Sequence, residues 1–149
     1  MPIRLSRIDA ATASVHGTAV ALRGRALLVA GPSGAGKSGL AAQMLGMGAA
    51  LVADDLCLIR REGAALHVMR PPGAPQGIEL RGLGLVRADG PARATLAGIV
   101  LLEPSAERLP PPETVALLEL RVPLLRHPYR FDAAAKLALW LADPDAGSR

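Results

Sequence analysis

Apolar positions along this chain fall into short runs of strand length, with helical spacing in only two places. SVHGTAVAL at 14–22 reads as a strand followed by a turn at Gly24-Arg25. ALLVA at 26–30 is wholly apolar, as expected for a strand covered on both faces. LVADDLCLIRR at 51–61 reads as a strand carrying two acids, Glu62-Gly63 as a hairpin tip, and ALHVMR as the returning strand. PPGAPQG at 71–77 is a loop. IELRGLGLV at 78–86, TLAGIVLLE at 95–103 and VALLELRV at 115–122 predict three more strands, and ADGPAR at 88–93 joins the first two.

The first helical stretch is 38–45, ended by Gly46 and Gly48. The second is 131–142, where apolar positions 134, 137, 138 and 141 share one face. Asp132 is placed to cap its start, and Pro144 and Gly147 to stop it. The sum is a strand-rich α/β fold with few helices. A chain of 149 residues suits one domain, 1–149, and the only low-complexity feature is the proline cluster at 110–112.

Charge and composition narrow the function classes. There are 17 basic against 13 acidic residues, a net charge of +4, and Lys37 and Lys136 are the only lysines. Ala, Leu, Gly, Pro and Arg run high together, in keeping with codon bias, so the basic balance reads as a solvated surface rather than a nucleic-acid patch. Tyr129, Phe131 and Trp140 are the only aromatics, too few for a single-strand stacking platform, and no nucleic-acid partner is expected. The single cysteine, Cys57, excludes an internal disulfide and suits a reducing cytoplasm. The first residues hold no apolar core of signal-peptide length, and no apolar run reaches about 18 residues, so no membrane span is expected.

The strongest chemical signal is GPSGAGKS at 31–38, which fits G-x-x-x-x-G-K-[ST] throughout. Gly31, Gly34 and Gly36 permit positive φ and close backbone approach. With Pro32, Ser33 and Ala35 between them, successive N–H groups can face phosphate oxygens, and the following helix adds its positive end. Lys37 is placed to reach the β- and γ-phosphates and Ser38 to ligate magnesium. An apolar strand before the loop and a helix after it are the context this motif requires.

Asp54-Asp55 lies 16 residues beyond Ser38 inside an apolar run. Acids there are costly without a polar task, and a phosphate-loop enzyme needs both a further metal-holding carboxylate and a proton acceptor. Two neighbouring acids can divide those roles if the chain bends between them. The bland reading is a solvent-facing pair at a strand end. His16, alone, reads as a structural hydrogen-bonder. Glu79 and Arg81, alternating on one strand face, read by spacing as an ordinary surface pair.

Taken together, His16-Gly17, GPSGAGKS at 31–38, LVADD at 51–55 and IELRGLG at 78–84 resemble, in order and approximate spacing, the catalytic domain of the HPr kinase/phosphorylase family. The resemblance covers about 12–142. It implies a single phosphate-loop kinase domain of the HPr kinase and phosphoenolpyruvate carboxykinase type. It also implies ATP and Mg2+ as cofactors, and an HPr-like phosphocarrier protein as the partner that receives phosphate on serine.

Carried to these positions, it makes Asp54 the acid that deprotonates the acceptor serine and Asp55 a metal-linked acid. It places His16 near the phosphates, and Glu79 (counted with Ser38 and Asp55 as metal-holding) and Arg81 beside the active site. Arg130 corresponds to a later active-site arginine, although Tyr129 and Phe131 replace the family's flanking residues. The family's N-terminal domain is not expected here, the segment after Gly84 is shorter, and the helical region after Trp140 is curtailed, as in short alphaproteobacterial forms. Kinase activity is therefore expected to dominate over the reverse, phosphate-dependent reaction. A related kinase with another substrate, and a nucleotide-sensing module without catalysis, stay open as alternatives. Retention of both Asp54 and Asp55 argues against the second.

Overall fold

The computed structural model describes residues 3–104 and 108–146, and the expected stop at Gly147 lies outside them. Among these residues the chain forms β1 (Leu5–Arg7), β2 (Thr12–His16), β3 (Thr18–Leu22), β4 (Arg25–Ala30), α1 (Lys37–Gly46), β5 (Ala50–Ala53) and β6 (Leu56–Glu62). It continues through β7 (Ala65–Met69), β8 (Gly77–Leu80), β9 (Gly84–Arg87), β10 (Arg93–Leu102), β11 (Thr114–Leu117), β12 (Leu120–His127) and α2 (Ala133–Ala142). The strand-rich α/β expectation holds, with two helices as read from the periodicity.

Ten strands form one sheet in the order β1-β2-β6-β7-β10-β4-β3-β5, with β12 beside β10 and β11 beyond β12; β8 and β9 form a separate hairpin. The long β10 organises the whole. Its first residues pair antiparallel with β7, and its later residues lie parallel to β4 on one side and β12 on the other. Ala97 is skipped in the pairing with β4, and the Trp140 ring packs against neighbouring Gly98, where a Cβ would clash with it.

Alternation along β4 and β10 divides two cores. Ala26, Leu28, Ala30, Ile99 and Leu101 enter the core that the sheet encloses with β2, β6, β7, β11 and β12. Leu27, Val29, Val100 and Leu102 enter the core under α1 and α2. That is why 26–30 carries no polar residue: each side chain there is buried on one face or the other, worth roughly 1.5–3 kcal/mol apiece for the larger ones. Arg7 on β1 pairs with Glu119 at 2.9 Å, which ties the sheet's edge to the β11–β12 turn.

Four expected strands are each two. The 14–22 run breaks at Gly17, so that β2 pairs with β6 while β3 pairs with β4 and β5. The 51–61 run breaks at Asp54-Asp55, between β5 and β6. The 78–86 run is the β8–β9 hairpin, turning at 81–83. The 115–122 run is the β11–β12 hairpin, turning at Leu118 and Glu119 with φ of 48° and 67°. The first turn sits at Arg23-Gly24, one residue earlier than expected, again with both φ positive (55° and 78°), as a two-residue hairpin loop requires. The β6–β7 tip falls at Gly63-Ala64 rather than Glu62-Gly63. Asp132 does occupy the start of α2, but its side chain makes no capping bond; it pairs with Lys136 at 3.6 Å.

Candidate active site

Two chain crossings build the site. Gly17 N donates to Asp55 O at 3.0 Å, so the β2–β3 and β5–β6 breaks lie side by side. A Cβ on Gly17 would stand 2.7 Å from Val29 O, so only glycine passes there. At the second break Leu56 N donates to Asp54 O at 2.8 Å around Asp55, whose φ is 68°. This tight three-residue turn is sparsely populated by side-chain-bearing residues. In an unbroken strand the two acids would face opposite ways; with this bend both line one cleft.

Asp54 is held at both oxygens. The hydroxyl of buried Thr18 donates to Oδ1 at 2.8 Å, and the backbone N–H of Glu79 donates to Oδ2 at 2.9 Å. Each carboxylate oxygen keeps further acceptor capacity. Cys57, next along, is buried with its Sγ 3.4 Å from Gly17 O. Burial, reinforced by the charge of Asp54, pushes its thiol up to about 12, so it is an inert packing group.

The loop 31–36 leaves the end of β4, and α1 begins at Lys37, one residue before the expected start at Ser38. Gly31, Gly34 and Gly36 have φ of 146°, 83° and 105°. Lys37 Nζ donates to Gly31 O at 2.7 Å and Pro32 O at 3.1 Å, folding the loop around its ammonium group. Lys37, Ser38, Asp54, Asp55 and Glu79 line one cleft of about 490 Å3, with Thr18 behind Asp54 and Leu85 of β9 at its border. A second cleft of about 510 Å3 runs along the other side of the loop, past Pro32, Ser33, Gly34 and Ala35, to Glu103, Tyr129 and Arg130.

Of the residues singled out in the sequence, the first cleft thus gathers Lys37, Ser38, Asp54, Asp55 and Glu79. Arg130 lies in the second cleft. His16 is exposed at the end of β2, paired with Leu56 next to Asp55, and is not among the residues lining either cleft. Glu79 and Arg81 do not share a strand face: β8 ends at Leu80 and Arg81 is exposed in the turn beyond it. Thr18 was not legible as a site residue, although it directly follows His16-Gly17. Glu103 shows in the sequence only as the end of an apolar run.

The donor set fits magnesium. Ser38, Asp55 and Glu79 offer hard oxygen ligands in the same cleft, and no group of three or more His, Cys, Asp or Glu among the described residues forms a dedicated metal cage. Magnesium typically takes one or two protein carboxylates and completes its shell with phosphates and water. The positive-φ glycines and the start of α1 likewise fit a polyphosphate.

Known proteins resemble this chain in sequence and in fold. The HPr Serine kinase C-terminal domain family matches residues 8–90. An HPr kinase/phosphorylase of Halalkalibacterium halodurans is 44% identical over 78 residues, 52% of this chain and 25% of that protein. One from Mycoplasmopsis pulmonis is 37% identical over 84 residues, 56% of this chain and 27% of that protein. The match therefore spans about a quarter of the length of these curated relatives. The solved structure of the Hpr(Ser) kinase/phosphatase from Coxiella burnetii shares the fold, with a TM-score of 0.73 over 87% of each chain at 20% identity. The family match ends at residue 90, before Glu103, Tyr129 and Arg130 of the second cleft.

Proposed function

The chain belongs to the HPr Serine kinase C-terminal domain family, and from that premise we propose that it is an ATP- and Mg2+-dependent kinase that phosphorylates a serine of an HPr-like phosphocarrier protein. The observation that carries the reading is Asp54, fixed at both oxygens in the cleft that Lys37 and Ser38 also line. No helix among the described residues is long and apolar enough to cross a membrane, and a cytoplasmic reaction is part of the proposal.

In this reading the N–H groups of the loop and the first turn of α1 cradle the phosphates. Lys37 turns from the carbonyls of Gly31 and Pro32 to phosphate oxygens, a stronger, charged acceptor. Ser38, Asp55 and Glu79 would hold magnesium, which when bound offsets phosphate charge. Asp54 orients the serine hydroxyl and takes its proton as the serine oxygen bonds to the γ-phosphorus and ADP leaves. Thr18 and the Glu79 N–H keep the carboxylate aimed.

Two substitutions test the assignment. Lys37→Ala should abolish transfer in a folded protein. Asp54→Asn should keep nucleotide binding and slow transfer by about 10²–10⁴-fold. Near-normal transfer by folded Lys37→Ala, or an Asp54→Asn defect confined to ATP affinity, would sink the division of roles.

A further inference from the structure

The second cleft lies where the family match no longer reaches, and the topology says what it is for. β4, β10 and β12 are parallel, so their C-terminal ends open on one edge of the sheet. Gly31 leaves β4 there, Glu103 follows β10 and Pro128–Arg130 follow β12, with Glu103 N bonded to His127 O at 3.1 Å. Crevices at such strand ends are where open α/β sheets receive ligands.

We propose that this cleft seats the nucleoside end of the nucleotide, with the carboxylate of Glu103 accepting the ribose hydroxyls and the Tyr129 ring and Pro104 forming walls for the base. The inference rests on the reading that the loop 31–38 holds the phosphates. Asp54 lies in the first cleft, so the reacting phosphate points that way. The rest of the nucleotide must then leave the loop on its other side, along Pro32–Ala35, which is the floor of the second cleft.

The lining has the matching chemistry. Arg126 Nη1 holds Glu103 Oε1 at 2.7 Å and is itself anchored on Glu113 through Nε at 2.8 Å and Nη2 at 2.9 Å. The Glu103 carboxylate is thereby fixed, while Oε2 has no hydrogen-bond partner among the described residues. A fixed carboxylate beside apolar walls is what a ribose with its base requires. Tyr129 is 45% exposed and lies against the start of α1: a Cβ on Gly39 would stand 2.7 Å from its hydroxyl oxygen, and one on Gly36 would collide with the ring. Those two glycines let the ring sit beside the turn that receives the inner phosphates. Arg130, in the same cleft, supplies a cation for the α-phosphate side rather than for the serine.

Calorimetric binding of ATP, 2′,3′-dideoxy-ATP and inorganic tripolyphosphate to wild type and to Glu103→Gln tests this. Wild type should bind ATP about tenfold or more tightly than dideoxy-ATP, the effect of hydrogen bonds to a charged acceptor. Glu103→Gln should lose that preference and bind tripolyphosphate as wild type does. Equal binding of ATP and dideoxy-ATP by wild type, or an unchanged preference in the variant, would overturn the nucleoside seat while leaving the loop assignment standing. Wild type that binds neither ATP nor tripolyphosphate would overturn both.

Discussion

Thr18 contributes one hydroxyl, and its direction matters more than its size. It is buried and donates to Asp54 Oδ1 at 2.8 Å. Thr18→Val keeps the shape but removes the donor. Transfer should slow about tenfold with nucleotide affinity unchanged, and Thr18→Ser should restore it, because a mispointed base loses its reactive geometry. A Val variant as fast as wild type would show that Asp54 needs no such support.

Cys57 gives the residue scale a pH signature. Its folded value, about 12, lies above the ordinary thiol value of 9.0 because of burial and the charge of Asp54. Between those limits the folded chain keeps a proton that the unfolded chain releases. The associated stability is fully present below pH 9 and is lost as pH rises towards 12, at about 1.4 kcal/mol per unit within the window. Denaturation of wild type and Cys57→Ala at pH 8 and 10.5 should show a shallower alkaline loss in the variant. Parallel losses would contradict the shift.

At the scale of elements, the breaks matter more than the strands. Gly17→Ala places a methyl against the backbone of β4, 2.7 Å from Val29 O and 3.0 Å from Leu28 Cδ1. It should cost roughly 1–3 kcal/mol in chemical denaturation. The same change at Gly46, the last residue of α1 with open space around it, should be neutral or stabilise by up to about 1 kcal/mol. Equal effects at the two sites would mean that Gly17 is not a steric gate.

The phosphate loop, its strand and its helix were legible from residue types because each obeys a local rule. The breaks at Asp54-Asp55 and at Leu118-Glu119 were not. Asp55, Leu118 and Glu119 adopt positive φ without being glycine. Asp55 is held by the pairing of β5 and β6 with β3 and β2, far earlier in the chain, whereas Leu118-Glu119 is a local hairpin tip whose residue types do not announce a turn. Gly17 was visible as a residue, but the carbonyl it must slip past belongs to β4, a constraint the local sequence does not carry. The acidic pair was legible as chemistry. That the two acids flank a chain crossing, which is what aims Asp54, was not.

At the scale of the whole molecule, two arrangements meet at the loop. The antiparallel strands cross over to present Asp54, and the three parallel strands end together at Glu103 and Arg130. The loop lies between them with a cleft on either side, so that a nucleotide laid across it would point its reacting end at Asp54. The measurement that bears most directly on this account is incubation of the protein with γ-labelled ATP, Mg2+ and the HPr-like protein of the same organism, followed by phosphoamino-acid analysis. Label should fall on a serine of the phosphocarrier, be lost with Lys37→Ala and be strongly reduced with Asp54→Asn. Label on histidine, or no transfer by a protein that binds ATP, would contradict it.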